Sequence, residues 1–556
     1  MKDLSNEIMA YSLQNAVEFG LAQESRILPK LFQHGLDKSE IPKVLPVINE
    51  AVKKVNLMKP DERKQVFERF KKFIRENVHE NKGLPELPGA EKRGKKVFRL
   101  APFPSGALHI GNAKTYLLNA LYAEKYNGKI LLVMDDTIGS EEKKPLKEAY
   151  GLIEEAFELL GVKYSKPIVY KSDRLGIYYK YAERLIKMKK AYVCFCTQDE
   201  FKKIKDAGQE CGCRRLPEKI HLGRWKEMFS MDAGHAVLRI KTNMQHPNPA
   251  FRDRVLFKIT DREHPRVKNK YRVWPTLEMT WAIDDHLLGI THILRGNDLA
   301  METEMEKYIW DIFGWKHPEV IHTGLVRISG AEAKVSKSKA QEEVREGRFI
   351  GWDDPRTWSV QSLVKRGITA EAIKEFVKEI GLNRQDINVP IEALYSINRK
   401  IIDRNADRYS FVQSPIEIKI KNTLGIKAVE IPVHPDKTER RKVKIGKIYI
   451  SKEDFDKYVG KEIRLLHLYN IKLGKKESEI RDIDIDESTK KIQKINWVSE
   501  GIPAKVLMPS GKWTLGLADK AVKNLKTGSL IQFERFGFVK YHGKKKGVAE
   551  FWFAHG

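Results

Sequence analysis

An alternation of strand-like and helix-like runs narrows the fold of this chain most. KKVFRLAP (95–102) reads as a strand, AKTYLLNALYAEKYN (113–127) as an amphipathic helix, GKILLVMDD (128–136) as a buried-type strand and EAYGLIEEAFELLG (148–161) as a second helix. METEMEKYIWDIFG (301–314) and PEVIHTGLVRIS (318–329) continue the pattern as helix and strand. Strands separated by helices of this length fold into a parallel sheet, because each helix carries the chain back to start the next strand.

The remaining segments belong to other classes. Val66, Phe67, Phe70, Phe73, Ile74 and Val78 recur at helical spacing, so the N-terminal 80 residues read as helices. HENKGLPELPGAEKRGKK (79–96) is rich in Gly and Pro without periodicity and reads as a linker. From about Asp354 to Tyr409 the pattern is helical again. Beyond residue 412 it becomes short β-runs separated by turn residues, as in one or two β-barrels. Expected domains are 1–94 (helical extension and linker), 95–190 and 271–345 (two halves of an α/β domain), 191–270 (an insertion), 346–411 (helical) and 412–556 (β-barrel region).

The chain has 556 residues, with 102 Lys and Arg against 75 Asp and Glu, a net charge of +27. Such a surplus points to a polyanionic partner, either nucleic acid or an anionic membrane surface. No apolar run reaches the ~20 residues of a membrane span. The N-terminal residues MKDLSNEIMAYSLQ lack a signal core, so a cytoplasmic location is expected.

Two loops carry candidate chemistry. RLAPFPSGALHIGNA (99–113) places a Pro- and Gly-rich turn between a strand and a helix start near His109. Helix N-termini accept phosphate, glycines such as Gly106 and Gly111 allow close approach of a flat ring, and His109 and Asn112 offer neutral donors. Alone, this segment also fits an ordinary junction with a capping histidine. KVSKS (334–338), followed by Lys339, suits a mobile phosphate clamp or, equally, a solvated basic loop.

All four cysteines cluster. Cys194, Cys196, Cys211 and Cys213 form two C-x-C pairs, a donor set suited to tetrahedral zinc rather than to a disulfide scaffold. In the β-rich region, Lys437, Arg440, Arg441, Lys442 and Lys444 fall within one stretch, and Trp497, Trp513 and Phe533 lie near other basic residues. Basic groups with exposed aromatics suit unstacked bases, whereas the same aromatics would also serve as barrel core.

The histidine loop and the lysine–serine loop together resemble the HIGH and KMSKS signatures of class I aminoacyl-tRNA synthetases, standing here as His109-Ile110-Gly111-Asn112 and Lys334-Val335-Ser336-Lys337-Ser338. RLAPFPSGALHIGN, MDDT, DDHLLGITHILRGNDL, GWDDPR and LIQFERFGFVKY extend the resemblance to the glutamyl-tRNA synthetase family in its archaeal and eukaryotic branch. That resemblance implies a Rossmann-like catalytic domain and an acceptor-stem-binding insertion carrying structural Zn²⁺ on the four cysteines. It also implies a helical junction domain and C-terminal anticodon-binding β-barrels. The implied reaction is ATP-dependent activation of L-glutamate, with Mg²⁺ accompanying ATP, followed by transfer to tRNA(Glu). Charging of tRNA(Gln) is expected as well, since archaeal-type relatives commonly lack that discrimination.

By the same resemblance, His109, Asn112, Lys334 and Lys337 form the catalytic set, and Pro104, Gly111 and Ser336 join them around ATP. Arg99, Ala101, Asp135 and Arg295 would bind glutamate, with Arg99 on its side-chain carboxylate and Asp135 on its α-amino group. Lys437, Arg440, Arg441, Lys442 and Trp497 would face tRNA. A monomer is expected, with no membrane association. The chain departs from the family pattern at Asn112 (the last His of HIGH), Val133, Ile138, Leu277 and Val335. The rivals are a glutaminyl-tRNA synthetase and a catalytically silent tRNA-binding paralogue.

Overall fold

A computed structural model describes residues 4–31, 34–36, 38–74, 84–91, 94–140, 144–330, 337–421, 425–482 and 492–556. The chain divides into two compact units, Met1–Gly83 and Leu84–Gly556.

The first unit is helical: α1 (Ser5–Phe19), α2 (Glu24–Leu31), α3 (Ile41–Leu57) and α4 (Pro60–Phe70). Its core gathers Ile8, Tyr11, Ile27, Leu31, Val44, Ile48 and Val55, with Val66, Phe67, Phe70 and Ile74 packed at its edge. Arg63 is buried and donates to the carbonyls of Gly20, Val55 and Asn56, which satisfies exposed helix ends. Val78 lies outside the described residues.

The second unit begins with part of the expected linker. Leu87 is buried in the α/β core, and its amide donates to Tyr126 Oη at 2.8 Å. One apolar side chain thus ties the Pro/Gly-rich segment down against α5. The α/β layer follows as β1 (Val97–Leu100), α5 (Ile110–Lys125), β2 (Lys129–Met134), α6 (Lys147–Leu159), β3 (Ser165–Tyr170) and α7 (Leu175–Lys187). The strands are parallel in the order β1-β2-β3, with Arg99 opposite Leu131.

An antiparallel four-stranded sheet interrupts this layer, built from β4 (Ala191–Cys194), β5 (Val237–Ile240), β6 (Val255–Ile259) and β7 (Val273–Pro275), with α8 (Gln198–Asp206) and α9 (Glu218–Glu227) between β4 and β5. The layer resumes with α10 (Leu277–Leu287), β8 (His292–Gly296), α11 (Ala300–Phe313) and β9 (Glu319–Thr323), and β8 pairs with β9 in parallel. Thr291 joins the halves, its amide donating to the Val97 carbonyl and its hydroxyl accepting from the Val97 amide. The connection after β1 runs towards β2, while β8 lies on the other side of β1. A crevice therefore opens between β1 and β8 at the carboxyl ends of the strands, where open α/β sheets bind ligands.

The expected strand at 318–329 is two, β9 and β10 (Val326–Ser329), because the chain turns at Gly324, where a Cβ would lie 2.0 Å from the Gln385 carbonyl oxygen. Next come α12 (Lys337–Arg345), α13 (Val360–Arg366), α14 (Ala370–Ile380), β11 (Ile387–Pro390) and α15 (Ile391–Ile402).

The C-terminal region holds two β modules. In one, a seven-stranded sheet starts at Arg408–Tyr409 and ends at Phe411–Gln413, so neighbouring stretches of chain form its two edges and nearly close it. Phe411, Val506, Phe533, Val539 and Phe551 fill it. The other packs Ile418, Ile450, Ile463, Leu465, Ile471 and Trp497 between a three-stranded and a five-stranded sheet. Among the described residues no helix is long and apolar enough to cross a membrane.

Candidate active site and cysteine cluster

The loop from β1 to α5 is shaped by its own residues. His109 is the N-cap of α5, with extended backbone, and its Nδ1 accepts from the Gly111 amide at 3.1 Å. A neutral imidazole held this way carries its proton on Nε2, the orientation that donates to an anion at the helix start. Asn112 is exposed on the first turn and Gly111 is half-buried. Gly106 has φ +139°, and a Cβ there would sit 2.3 Å from Trp352 Cη2. The flat ring that this glycine admits is therefore the protein's own Trp352, from the GWDDPR segment. Two backbone bonds stitch the residues just after that segment to the loop: the Ile110 amide donates to the Trp358 carbonyl and the Val360 amide to the Leu108 carbonyl. Pro104 is buried and its carbonyl accepts from the Leu146 amide, while Ala101 is half-buried beside it in sequence.

At the strand ends, charged side chains meet below the crevice. Arg99 leaves β1 and Asp135 follows β2, held by its amide on the Pro102 carbonyl at 3.0 Å. Arg295 leaves β8. All three are buried, and each already faces an opposite charge. Arg99 forks onto Asp285, Nε to Oδ1 at 2.5 Å and Nη2 to Oδ2 at 3.1 Å. Arg295 Nη1 reaches Glu306 Oε1 and Oε2 at 3.0 and 2.9 Å and Thr303 Oγ1 at 3.0 Å. Burial pushes the Glu306 carboxyl up to about 7, against the pull of Arg295. Asp135 Oδ1 lies 2.8 Å from Lys171 Nζ.

Lys171, Trp281, Asp285 and Glu306 are absent from the sequence-derived site. No local signal separates Lys171 from the chain's many surface lysines, and Asp285 stands out only as part of the DDHLLG segment. Next to Asp135, Asp136 accepts from Tyr150 Oη, Ser172 N and Ser172 Oγ. Burial raises its carboxyl and lowers the facing His264 imidazole. Lys334 and Ser336 lie outside the described residues, and Lys337 is placed only as the first residue of α12.

Cys194 ends β4, Cys196 follows it, Cys211 precedes the short 3₁₀ turn Gly212–Arg215 beyond α8, and Cys213 lies within that turn. Their four Sγ atoms lie within 4.8 Å of one another, and Cys194 Sγ to Cys211 Sγ is 3.8 Å. A zinc–sulfur bond of ~2.3 Å gives a tetrahedral edge of about 3.8 Å, so the donor set fits that ion. The hydrogen bond between Cys194 and Cys211 pulls the Cys211 thiol down and pushes the Cys194 thiol up. Tyr192, Phe201 and Met244 pack around it.

The description "tRNA synthetases class I (E and Q), catalytic domain" matches residues 96–404, and two anti-codon binding domains of the same family match 406–488 and 494–542. The chain belongs to the class I E and Q tRNA synthetases. Glutamate–tRNA ligase of Pyrococcus abyssi is 41% identical over 555 residues, covering 96% of each chain. Glutamate–tRNA ligases of Archaeoglobus fulgidus, at 39% over 541 residues, and Methanothermobacter marburgensis, at 36% over 557 residues, cover 96% and 99% of this chain and 97% and 99% of theirs.

In this synthetase the expected tRNA-facing residues separate by burial. Arg440, Lys442 and Lys444 are exposed on one side of the Arg440–Lys444 strand. Arg441 points the other way and pairs with Asp519, as the two-residue period of a strand requires. Lys437 Nζ is 2.5 Å from Asp407 Oδ1. Trp497 is corrected to a core residue: it is 2% exposed and its indole N–H donates to the Leu466 carbonyl at 2.8 Å. Phe533 is core as well. Trp513 is 40% exposed, with Lys505 Nζ 4.2 Å from its ring centre.

Proposed function

We infer that this chain is a glutamate–tRNA ligase. One carboxylate oxygen of L-glutamate attacks the α-phosphorus of ATP and pyrophosphate leaves. A ribose hydroxyl at the tRNA 3′ end then attacks the acyl carbon and AMP leaves. The protein need supply no nucleophile, only positioning and charge. The observation that carries this reading is near-full-length similarity to curated glutamate–tRNA ligases, coupled to a phosphate-ready helix start beside buried arginines.

His109 Nε2 and the α5 amides hold the phosphates, which enter with Mg²⁺, and Lys334 and Lys337 follow the charge that develops as pyrophosphate departs. Arg99 and Arg295 serve the substrate carboxylates and Asp135 the α-ammonium. The cysteine cluster holds Zn²⁺ as a cross-link of the insertion, since four thiolates leave no open position for chemistry. Arg440, Lys442, Lys444 and Trp513 supply cationic and stacking contacts to tRNA. Both tRNA(Glu) and tRNA(Gln) are charged with glutamate.

The test is aminoacylation of each purified tRNA with glutamate and, separately, glutamine. Glutamate on both acceptors is expected. Charging with glutamine alone identifies the glutaminyl enzyme, and tRNA binding without charging identifies a silent paralogue.

A further inference from the structure

Lys171 is wholly buried among the charges below the crevice. It stands at the end of β3, and its ammonium has three neighbours: Thr280 Oγ1 at 2.7 Å, Asp135 Oδ1 at 2.8 Å and the Trp281 ring, whose centre is 3.3 Å away. The same ring carries the Arg99 guanidinium at 3.5 Å. Burial draws the ammonium down and Asp135 holds it up.

Each other cation nearby is committed elsewhere. Arg99, from β1, is bound on two atoms by Asp285. Arg174, before α7, pairs with Asp284 of α10 at 2.8 Å, and Asp284 also accepts from Tyr178. From α5, Tyr116 stands within electrostatic reach of Asp135 with its phenol held neutral by burial. The neighbouring Asp136 is turned to Ser172 and Tyr150. Asp135 is only 4% exposed. A carboxylate at that depth with no cation facing it takes up a proton near neutral pH, and a neutral carboxyl cannot hold an ammonium.

We propose that Lys171 is a positioning residue for amino-acid recognition: its buried ammonium stands against Asp135 Oδ1 as the facing charge, so that the second oxygen receives the α-ammonium of the substrate. The proposal rests on the reading that Asp135 binds the α-amino group. Trp281 and Thr280 aim the ammonium, and the pair makes the pocket's affinity for an amino acid independent of pH around neutrality.

Four variants test it by tRNA-dependent pyrophosphate exchange between about pH 6 and pH 9. In Lys171→Met no lysine ammonium faces the buried Asp135 carboxylate. The glutamate KM then climbs about tenfold or more as pH falls through the neutral range and approaches the wild-type value at high pH. KM for ATP stays within about twofold, and KM is read on the folded fraction alone. Lys171→Gln, which keeps a donor, shows a smaller rise. Asp135→Asn raises the glutamate KM equally at every pH, and Lys171→Met with Asp135→Asn shows no pH dependence either. A glutamate KM in Lys171→Met within about twofold of wild type across the range overturns the proposal, as does a rise that is the same at every pH and shared by ATP. An unchanged KM in Asp135→Asn overturns the reading of Asp135 instead.

Discussion

Replacing Gly106 by alanine tests how the phosphate loop is shaped. The added Cβ would lie 2.3, 2.8 and 2.9 Å from Trp352 Cη2, Cζ2 and Cζ3. Carbon atoms rest about 3.5–4.0 Å apart, so the ring must retreat by about 1.2 Å or more. Trp352 cannot translate easily, because its carbonyl accepts from Thr357 Oγ1 at 2.9 Å and Ser359 Oγ at 2.6 Å. Its half-buried ring must therefore swing on its own bonds. The backbone adds a second cost, since φ +139° suits glycine and strains an L-residue by about 1–3 kcal/mol. With about 1–2 kcal/mol for displacing the ring, the total is about 2–5 kcal/mol, which is about thirty- to several-thousand-fold in kcat/KM. The assay is pyrophosphate exchange with ATP varied. Gly106→Ala with Trp352→Ala removes the overlap and keeps the strained φ, so it should recover only the steric share over a Trp352→Ala background. ATP kinetics in Gly106→Ala within about twofold of wild type would refute the reasoning.

Three further outcomes follow from the same structure. Purified protein should carry about one zinc per chain, and Cys211→Ser should release it and lower the melting temperature; metal-free protein with an unchanged melting curve removes the zinc assignment. Trp497→Ala should lose about 3–5 kcal/mol of stability in its β module, as an emptied core position does. Trp513→Ala should leave the melting curve alone and weaken tRNA binding in filter assays; unaltered tRNA affinity removes Trp513 from the interface.

Much of the fold was legible before any coordinate. The helix and strand periods of 97–159 and 300–323 survive folding because each element buries the face its own spacing defines. The four cysteines also declare themselves, because no others exist in the chain to compete. At the candidate site, His109, Arg99, Asp135 and Arg295 are singled out by the resemblance to the family's motifs. Their partners are not. Asp285 is 186 residues from Arg99, and Lys171 meets Thr280 across 109. Nothing local in either segment records such a contact. Trp497 and Trp513 read alike in sequence, since both are aromatic residues in short β-runs, yet Trp497 lies between two strands in the core of one β module and Trp513 stands exposed on a strand of the other.

The sequence by itself determined the class of protein: an α/β layer, a helix start at His109, a cysteine cluster and a β-rich tail in a strongly basic chain. Those features depend on residue type and short-range period, which the linear order carries. Tertiary structure alone decided the electrostatic state of the pocket. Whether Arg99, Arg295 and Asp135 stand as bare charges or as members of buried pairs depends on which groups arrive from distant segments. In a site shielded from water, that pairing sets protonation and affinity.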